Sequence, residues 1–568
     1  MRATTAFLAL SVTAASIAGA QSVNFVNEAA ARGVNAISWG TGAPQIGRGI
    51  CLADLDQDND LDLVLVGDTN GVIRMYENDG QGYFTDRTPN LVKLPAAQGV
   101  CAGDYDADGD LDLAVVNFLD FDYLFRNDGD FKFTNVSAQA GMSTTMKGAG
   151  QGAAFGDYDN DGYLDLYVCI LGFGADGYHN RLYHNLGNGT FEEISEDAGV
   201  DGFGFSSFQP AWFDVNLDGH LDLLVGNDRG NSGNCDVGQD LLYINNADGT
   251  FTEMAEQAGL FSKCTDTMGI ALADIDHNGF TDYYVSSNDF GNALYTNNGD
   301  LTFDEPTFEY GVQSFAFSWG VMFFDADNDG WVELHVANSH ANAPNRFYSS
   351  IAQPPCEEIA ELVGLYDIGV SHCQAVGDID GDGDLDLIVE NANIPYKVYI
   401  NTQLGQPRNW ARFDVVGLGA NRFGIGTRVE LTAGGMQQLS QLSQGIGLKS
   451  HSELTLHFGV AQAQVLDEIH VVWPGNAAER TLTGYAVNKT WTLYPPERLG
   501  DADADGDVDL TDLFELADFV NGQLNKPVEP GVEVFDHDGD GIISFLDVQA
   551  TISLMRNKPF GLQKVGPN

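Results

Sequence analysis

Basic residues are scarce in this chain. Lysine and arginine number 26 against 82 aspartates and glutamates, a formal net charge of −56 over 568 residues. Nucleic-acid binding needs a basic surface and is excluded, as is attraction to anionic lipid by charge alone. Long apolar runs are missing as well. Past residue 20 no stretch is long enough to span a membrane. Residues 1–20 themselves read as a signal peptide for export: Arg2 is the positive start, Ala6 to Ile17 a short apolar core, and Ala18 to Ala20 a small-x-small cleavage site. Cysteine is sparse and odd in number, seven in all, so full pairing within one chain is excluded. Cys51 and Cys101 each stand three residues before an acidic loop in apolar surroundings and read as small core residues. Cys235 with Cys264, and Cys356 with Cys373, flank insertions and are disulfide candidates in an oxidising compartment. Nucleophile motifs, zinc-ligand spacings and phosphate loops are absent. No convincing helical period appears before about residue 350.

What is present is a repeat. From residue 22 a unit recurs with four parts: a Phe-led tag, an apolar glycine-rich strand, an aspartate loop running into a second strand, and a Leu-Tyr-x-Asn strand followed by a glycine turn. Tags begin at Phe25, Phe84, Phe133, Phe191, Phe251 and Phe303, with a weaker one between Cys356 and Leu365. Loops begin at Asp54, Asp104, Asp157, Asp214, Asp274, Asp325 and Asp378, at steps of 50 to 60 residues. A fixed period of this size with four short strands per unit is one blade of a β-propeller. Seven units therefore predict a mainly β protein with a seven-bladed propeller over residues 21–405. The first tag precedes any loop, and the last unit ends at Asn401 with no tag after it. The N-terminal tag is therefore expected to supply the outer strand of the seventh blade, closing the ring and removing open sheet edges.

Counting each loop start as position 1, oxygen-bearing side chains recur at positions 3, 5 and 9. They are Asp54, Asp56, Asp58 and Asp62; Asp104, Asp106, Asp108 and Asp112; Asp157, Asp159, Asp161 and Asp165; Asp214, Asn216, Asp218 and Asp222; Asp274, Asp276, Asn278 and Asp282; Asp325, Asp327, Asp329 and Glu333; and Asp378, Asp380, Asp382 and Asp386. Alternation at 1, 3 and 5 lets a curled loop aim three oxygens at one point. Position 6 is glycine in six loops and Asn59 in the other, residues that tolerate positive φ. That turn brings the position 7 carbonyl inward, and position 9 closes the shell. All-oxygen ligands suit Ca²⁺, with Mg²⁺ less suited. Without a cation, such crowded carboxylates would repel strongly.

The motif from Asp157 to Asp165, preceded by Ala154, Phe155 and Gly156, resembles the FG-GAP/VCBS repeat of integrin α-subunit propellers. The resemblance implies a calcium-stabilised propeller that binds partners or forms a scaffold. Residues 409–497 lack aspartate loops and alternate as strands, which predicts a small β-sandwich-like domain. Gly419 to Gly426, Thr455 to Gly459 and Val471 to Gly475 resemble the ASPIC/UnbV domain, which follows such repeats in the cartilage acidic protein family. That family carries over no agreed catalytic residues. Arg422, His451, His457 and Trp473 are candidates to line a site there, with surface charge and sandwich core the favoured alternative.

Residues 500–558 hold two further loops, each followed by a helical pattern. The first offers Asp501, Asp503, Asp505, Asp509 and Asp512, with the Asp507 carbonyl; the second offers Asp536, Asp538, Asp540, Ser544 and Asp547, with the Ile542 carbonyl. An Asp at position 12, and no helix before the first loop, resemble a type I dockerin. The resemblance implies docking to a cohesin-type protein; a calcium-stabilised cap without a partner is the alternative. With the seven propeller loops this makes up to about nine Ca²⁺ sites, returning about +18 of charge. The expected function is a secreted, multi-calcium adhesion, recognition or scaffold protein with a glycan or matrix ligand and a dockerin-like tether. The alternative is an extracellular carbohydrate-active lyase or hydrolase carrying a dockerin.

Overall fold

The structure, a computed structural model, describes residues 23–38, 47–68, 70–91, 93–142, 148–172, 179–228, 238–260, 266–288, 291–340, 343–351, 354–404 and 406–500. In the C-terminal region it describes 516, 519–520, 526–528, 530 and 533–557. The expected signal peptide, Cys235, Cys264 and the loop from Asp501 to Asp512 lie outside the described residues.

The fold is mainly β and its first part is a propeller-like ring of antiparallel sheets. The innermost strands are Ile50–Ala53, Ala97–Gly103, Gly150–Gly156, Ser207–Phe213, Thr267–Ala273, Ser318–Phe324 and Ser371–Gly377. Each packs on the next, and Ser371–Gly377 returns to Ile50–Ala53. The position 9 residue of every loop is the first residue of the second strand, from Asp62–Leu65 to Asp386–Asn391. The loop is therefore the turn between the two most buried strands. Both faces of these strands are covered, which is why they read as continuous runs of small and apolar residues rather than as alternation.

Ring closure follows the sequence expectation. Val23–Asn27 pairs antiparallel with Lys397–Gln403, with Phe25 opposite Asn401, as the outer strand of the last sheet. Phe25 is buried and meets Phe324 and Phe347 edge-on at 6.3 and 5.9 Å, so the tag joins the last two sheets through a shared core. Burying one such aromatic is worth about 1.5–3 kcal/mol. The tags of sheets one to five likewise lead into outer strands, such as Phe133–Asn135 and Phe191–Glu193. In the sixth sheet the weaker tag makes only a bridge, Glu358 to Tyr348, and the named strands number three.

One reading needs correction. Cys356 and Cys373 are free thiols: Cys356 packs at the sixth sheet and Cys373 at the hub, in separate clusters. Among the described residues of the ring, three one-turn helices also occur, Ser195–Ala198, Thr307–Tyr310 and Ala360–Val363, each stopped by a left-handed glycine at position 199, 311 or 364. A single turn is too short to leave a helical period in the sequence.

The second part has two sheets. One joins Leu456–Ala461, Asn409–Val415 and Thr490–Leu493; the other joins Met436–Gln441, Arg428–Ala433, Glu468–Val472 and Glu479–Leu482. Phe413, Phe458, Trp473 and Trp491 fill the core between them. The strand that returns to the first of these sheets starts at Leu456. Residues 442–453, before it, leave the sheets and enter the hub of the ring. There the Gln444 carbonyl accepts from Trp212 N–H at 2.9 Å, Gly447 and Ile270 exchange two backbone bonds at 2.9 and 2.6 Å, and the His451 carbonyl accepts from Leu52 N–H at 3.0 Å. The Lys449 carbonyl accepts from Val100 N–H at 3.1 Å. The insert thus caps innermost strands around the ring, whose inward edges would otherwise lack backbone partners.

The C-terminal region is not a free appendage. Val534, Phe535 and Ile543 belong to the same core as Trp473 and Trp491. The Thr483 N–H donates to the Gly539 carbonyl at 2.7 Å, and the Tyr485 hydroxyl donates to Asp536 Oδ2 at 2.7 Å. The helix Phe545–Asn557 follows, where the sequence shows a helical pattern after the second loop.

Candidate metal centres

All seven propeller loops have one backbone design. The position 1 carboxylate folds the loop over itself: in the third loop Gly162 N–H donates to Asp157 Oδ2 at 3.1 Å, and in the fourth Gly219 N–H donates to Asp214 Oδ2 at 2.7 Å. The position 7 N–H donates to position 5, as from Tyr163 to Asp161 at 2.9 Å. Position 6 has positive φ throughout, from 68° at Asn59 to 103° at Gly109, as the glycine pattern predicted. Position 4 is also left-handed, and there most residues are not glycine: Gln57, Ala107, Asn160, Leu217, His277 and Asn328 have φ between 56° and 63°. That second turn was hidden from the sequence because side chains of every kind occupy it.

Position 9 is the most buried ligand. Asp62, Asp112, Asp165, Asp222 and Asp282 are fully buried, and each accepts two backbone N–H bonds, for example from Leu55 at 2.9 Å and Asn78 at 3.0 Å to Asp62. A carboxylate oxygen has two lone pairs, so one remains on each oxygen for a cation, except at Asp165 Oδ1, which also meets His184 Nδ1 at 3.1 Å.

The Asn that closes each Leu-Tyr-x-Asn strand has a role the sequence did not disclose. Asn185 Nδ2 donates to the Leu164 carbonyl of its own loop at 3.0 Å and to the Tyr105 carbonyl of the preceding loop at 2.7 Å. Asn78, Asn127, Asn245, Asn297 and Asn401 do the same, Asn78 reaching Ile379 across the closure. These amides tie adjacent sheets together at the loop face. The sixth sheet carries Ser350 at the equivalent position.

The loops fit a cation. Candidate ligand atoms of Asp54, Asp56 and Asp58 lie within 4.8 Å of one another, as do those of Asp104, Asp106 and Asp108, of Asp157, Asp159 and Asp161, and of Asp274, Asp276 and Asp282. Buried Oδ1 atoms of Asp56, Asp106 and Asp380 at position 3, and of Asp157 at position 1, have no hydrogen-bond partner. Burial, with repulsion from neighbouring loop carboxylates, raises the acids strongly. Asp62 is pushed up to about 8, Asp112 to about 9, Asp157 to about 8 and Asp282 to about 8. Anionic oxygens held this far from water are stable only with protons or with a cation among them.

The second part supplies fixed cations to three loops. Arg412 donates to Asp378 Oδ2 at 2.7 Å and also binds Glu453. Arg408 pairs with Asp327 and lies 3.7 Å from Asp329, and Arg422 lies 3.9 Å from Asp104. The four candidates from this domain do not converge. Trp473 is core, its Nε1 donating to the Val416 carbonyl at 2.9 Å, and His451 is buried in the hub insert. His457 Nε2 meets Asn328 Oδ1 at 2.7 Å, beside a cavity of about 180 Å³ between the insert and the ring. Arg422 is about half exposed.

The second C-terminal loop repeats the scheme. Gly539 and Gly541 N–H donate to Asp536 at 2.9 and 3.0 Å, both with positive φ. Its His537 N–H, at position 2, donates to Asp547 at position 12, at 2.9 Å. The bond that position 9 receives in the ring is taken here by a carboxylate three residues later.

Comparisons with known proteins agree with the FG-GAP and the ASPIC/UnbV resemblances. Residues 54–115, 104–168, 170–225 and 230–285 match the FG-GAP-like repeat, and residues 417–499 match ASPIC and UnbV. Cartilage acidic protein 1 of Homo sapiens is 25% identical over 504 residues, covering 79% of this chain and 72% of the relative. The Mus musculus protein is 24% identical over 506 residues, covering 80% and 74%. Among solved structures, BBS1N in complex with ARL6DN gives a TM-score of 0.38 at 14% identity, covering 65% of this chain and 94% of that one. The Dos1 propeller gives 0.36 at 10% identity, covering 75% and 97%.

Proposed function

We propose that this chain, which carries FG-GAP-like repeats and an ASPIC and UnbV domain homologous with cartilage acidic protein 1, is a secreted, multi-calcium adhesion or scaffold protein. Its units are a seven-bladed propeller over 21–405, a β-sandwich domain over 409–497 and a dockerin-like module over 500–558. The observation that carries the reading is the set of buried, unpartnered carboxylate oxygens in equivalent loops between the first two strands of the sheets. Ca²⁺ at these loops is structural: it neutralises the loop face and fixes the angle between the first two strands of each sheet. The relatives' name places them with cartilage, a tissue rich in extracellular matrix, and residues 1–20 supply an export signal. No described helix is long and apolar enough to cross a membrane.

The helix Phe545–Asn557 exposes Phe545 and Leu546, 56% and 64% accessible, and is the surface on which a cohesin-type partner would dock. Two experiments test the reading. Calcium should raise the melting temperature of the full chain and EDTA should lower it, because a ligand held only by the native state stabilises that state; an EDTA-insensitive melt contradicts the calcium role. Phe545→Asp with Leu546→Asp should abolish capture by an immobilised cohesin while leaving the melt in calcium unchanged. If the wild-type chain is not captured at all, the tether reading fails.

A further inference from the structure

One propeller loop differs from the others in the chemistry of its donors. The residue just before the clamping Asn lies beside the loop of its own sheet. At this register the sheets carry Glu77, Arg126, His184, Ile244, Thr296, Ser349 and Ile400. Only the third sheet places an imidazole there. His184 Nδ1 is hydrogen-bonded to Asp165 Oδ1 at 3.1 Å and lies 3.5 Å from Asp159 Oδ2. Candidate ligand atoms of Asp159, Asp165 and His184 fall within 4.8 Å of one another. In the same loop Asp157, 3% exposed, has a buried Oδ1 with no partner. The ring edge of His184 is held against Tyr158 at 6.0 Å and 80°. The two other loop histidines are engaged elsewhere: His220 Nδ1 meets Asn160 at 2.8 Å, and His277 stacks on Trp331 at 3.8 Å.

We infer that the third loop is a mixed nitrogen and oxygen centre that takes a borderline transition-metal dication, Zn²⁺ or a Zn²⁺-like ion, in preference to Ca²⁺. Its ligands are Asp157, Asp159, Asp165 and His184. The inference rests on the reading of these loops as cation sites and changes the identity of one ion. Metal–ligand bonds of about 2.1 Å place neighbouring donor atoms roughly 3.0–3.4 Å apart, close to the observed separations about His184 Nδ1. A neutral imidazole nitrogen binds zinc, cobalt and nickel well and calcium poorly, while the carboxylates serve either class. Every other loop offers oxygen alone at this register or no donor, so an excess of calcium would fill those loops and leave the third to the softer ion.

The test is a Co²⁺ titration of the full chain in saturating calcium, followed by the visible d–d absorption and by calcium stoichiometry from native mass spectrometry. Wild type should bind one Co²⁺ at the loop, and Zn²⁺ should displace it. Loss of a second-shell partner costs about 10- to 100-fold in metal affinity, so loss of the imidazole in His184→Gln should weaken Co²⁺ by at least roughly tenfold and add one Ca²⁺ to the stoichiometry. Thr296→His, which puts an imidazole beside Asp276 and Asp282, should create a second Co²⁺ site at the fifth loop. Equal Co²⁺ binding by wild type and His184→Gln overturns the inference, as does calcium in the third loop of both. Loops that bind neither ion would instead overturn the cation reading as a whole.

Discussion

At the scale of the residue, each loop depends on two side chains of opposite behaviour. The position 1 aspartate is acceptor and ligand at once, so Asp157→Ala should remove one metal ion per chain in native mass spectrometry and unwind its own loop. An unchanged metal count would take Asp157 out of the ligand set. The clamping asparagine is a donor that serves two sheets. Asn185→Ala leaves the Leu164 and Tyr105 carbonyls without their partner, and two unsatisfied buried acceptors cost about 2–4 kcal/mol in all. Urea midpoints should fall accordingly at constant slope; a midpoint unchanged within error would mean that water replaces the amide at no cost. The sequence displayed both residues and explained one. Acid spacing at positions 1, 3, 5 and 9 states its chemistry openly, because alternate residues in a tight turn converge. The Asn recurs just as regularly, but its partner is a carbonyl in a neighbouring unit, and nothing local to Leu-Tyr-x-Asn says so.

Elements were legible wherever a local rule set them. Strand lengths, the left-handed glycines and the outer strand supplied by Val23–Asn27 all follow from period and turn chemistry. The hub insert at 442–453 does not, because it has neither sheet alternation nor helical period, and much of its backbone is satisfied by ring strands far away in sequence. Two glycines mark it. Gly445 has φ +85°, and a Cβ there would stand 2.0 Å from the Pro210 carbonyl oxygen. Gly49, on the opposing strand, would put a Cβ 2.1 Å from the Lys449 carbonyl oxygen. Gly445→Ala therefore combines backbone strain with a clash and should cost about 2 kcal/mol or more. Because the insert belongs to one domain and its partners to the other, the loss should appear in both as a single lowered transition by fluorescence and circular dichroism. Two separate transitions in the wild type would show that the insert does not couple them.

At the scale of the whole molecule, 82 acids stand against 26 bases, and the ring buries one acid of that excess at position 9 of each of its seven loops. Freed of metal, Asp62, Asp112 and Asp282 titrate near 8 to 9 because burial disfavours their charge, whereas in the unfolded chain they titrate near about 4. Between those values the native state holds more protons than the unfolded state. Stability of the chelated protein must therefore fall as pH rises from about 5 to about 8.5. Saturating calcium should flatten that slope, since the cation takes the place of the protons. A chelated melting temperature that rises with pH would contradict the assignment of these groups. The most direct measurement of the central claim is the native mass of the full chain in calcium and again after exhaustive chelation. The expected result is a loss equivalent to at least six bound ions, one for each all-oxygen propeller loop, accompanied by a lower melting temperature. A mass that does not change on chelation, in a chain that remains folded, would contradict it.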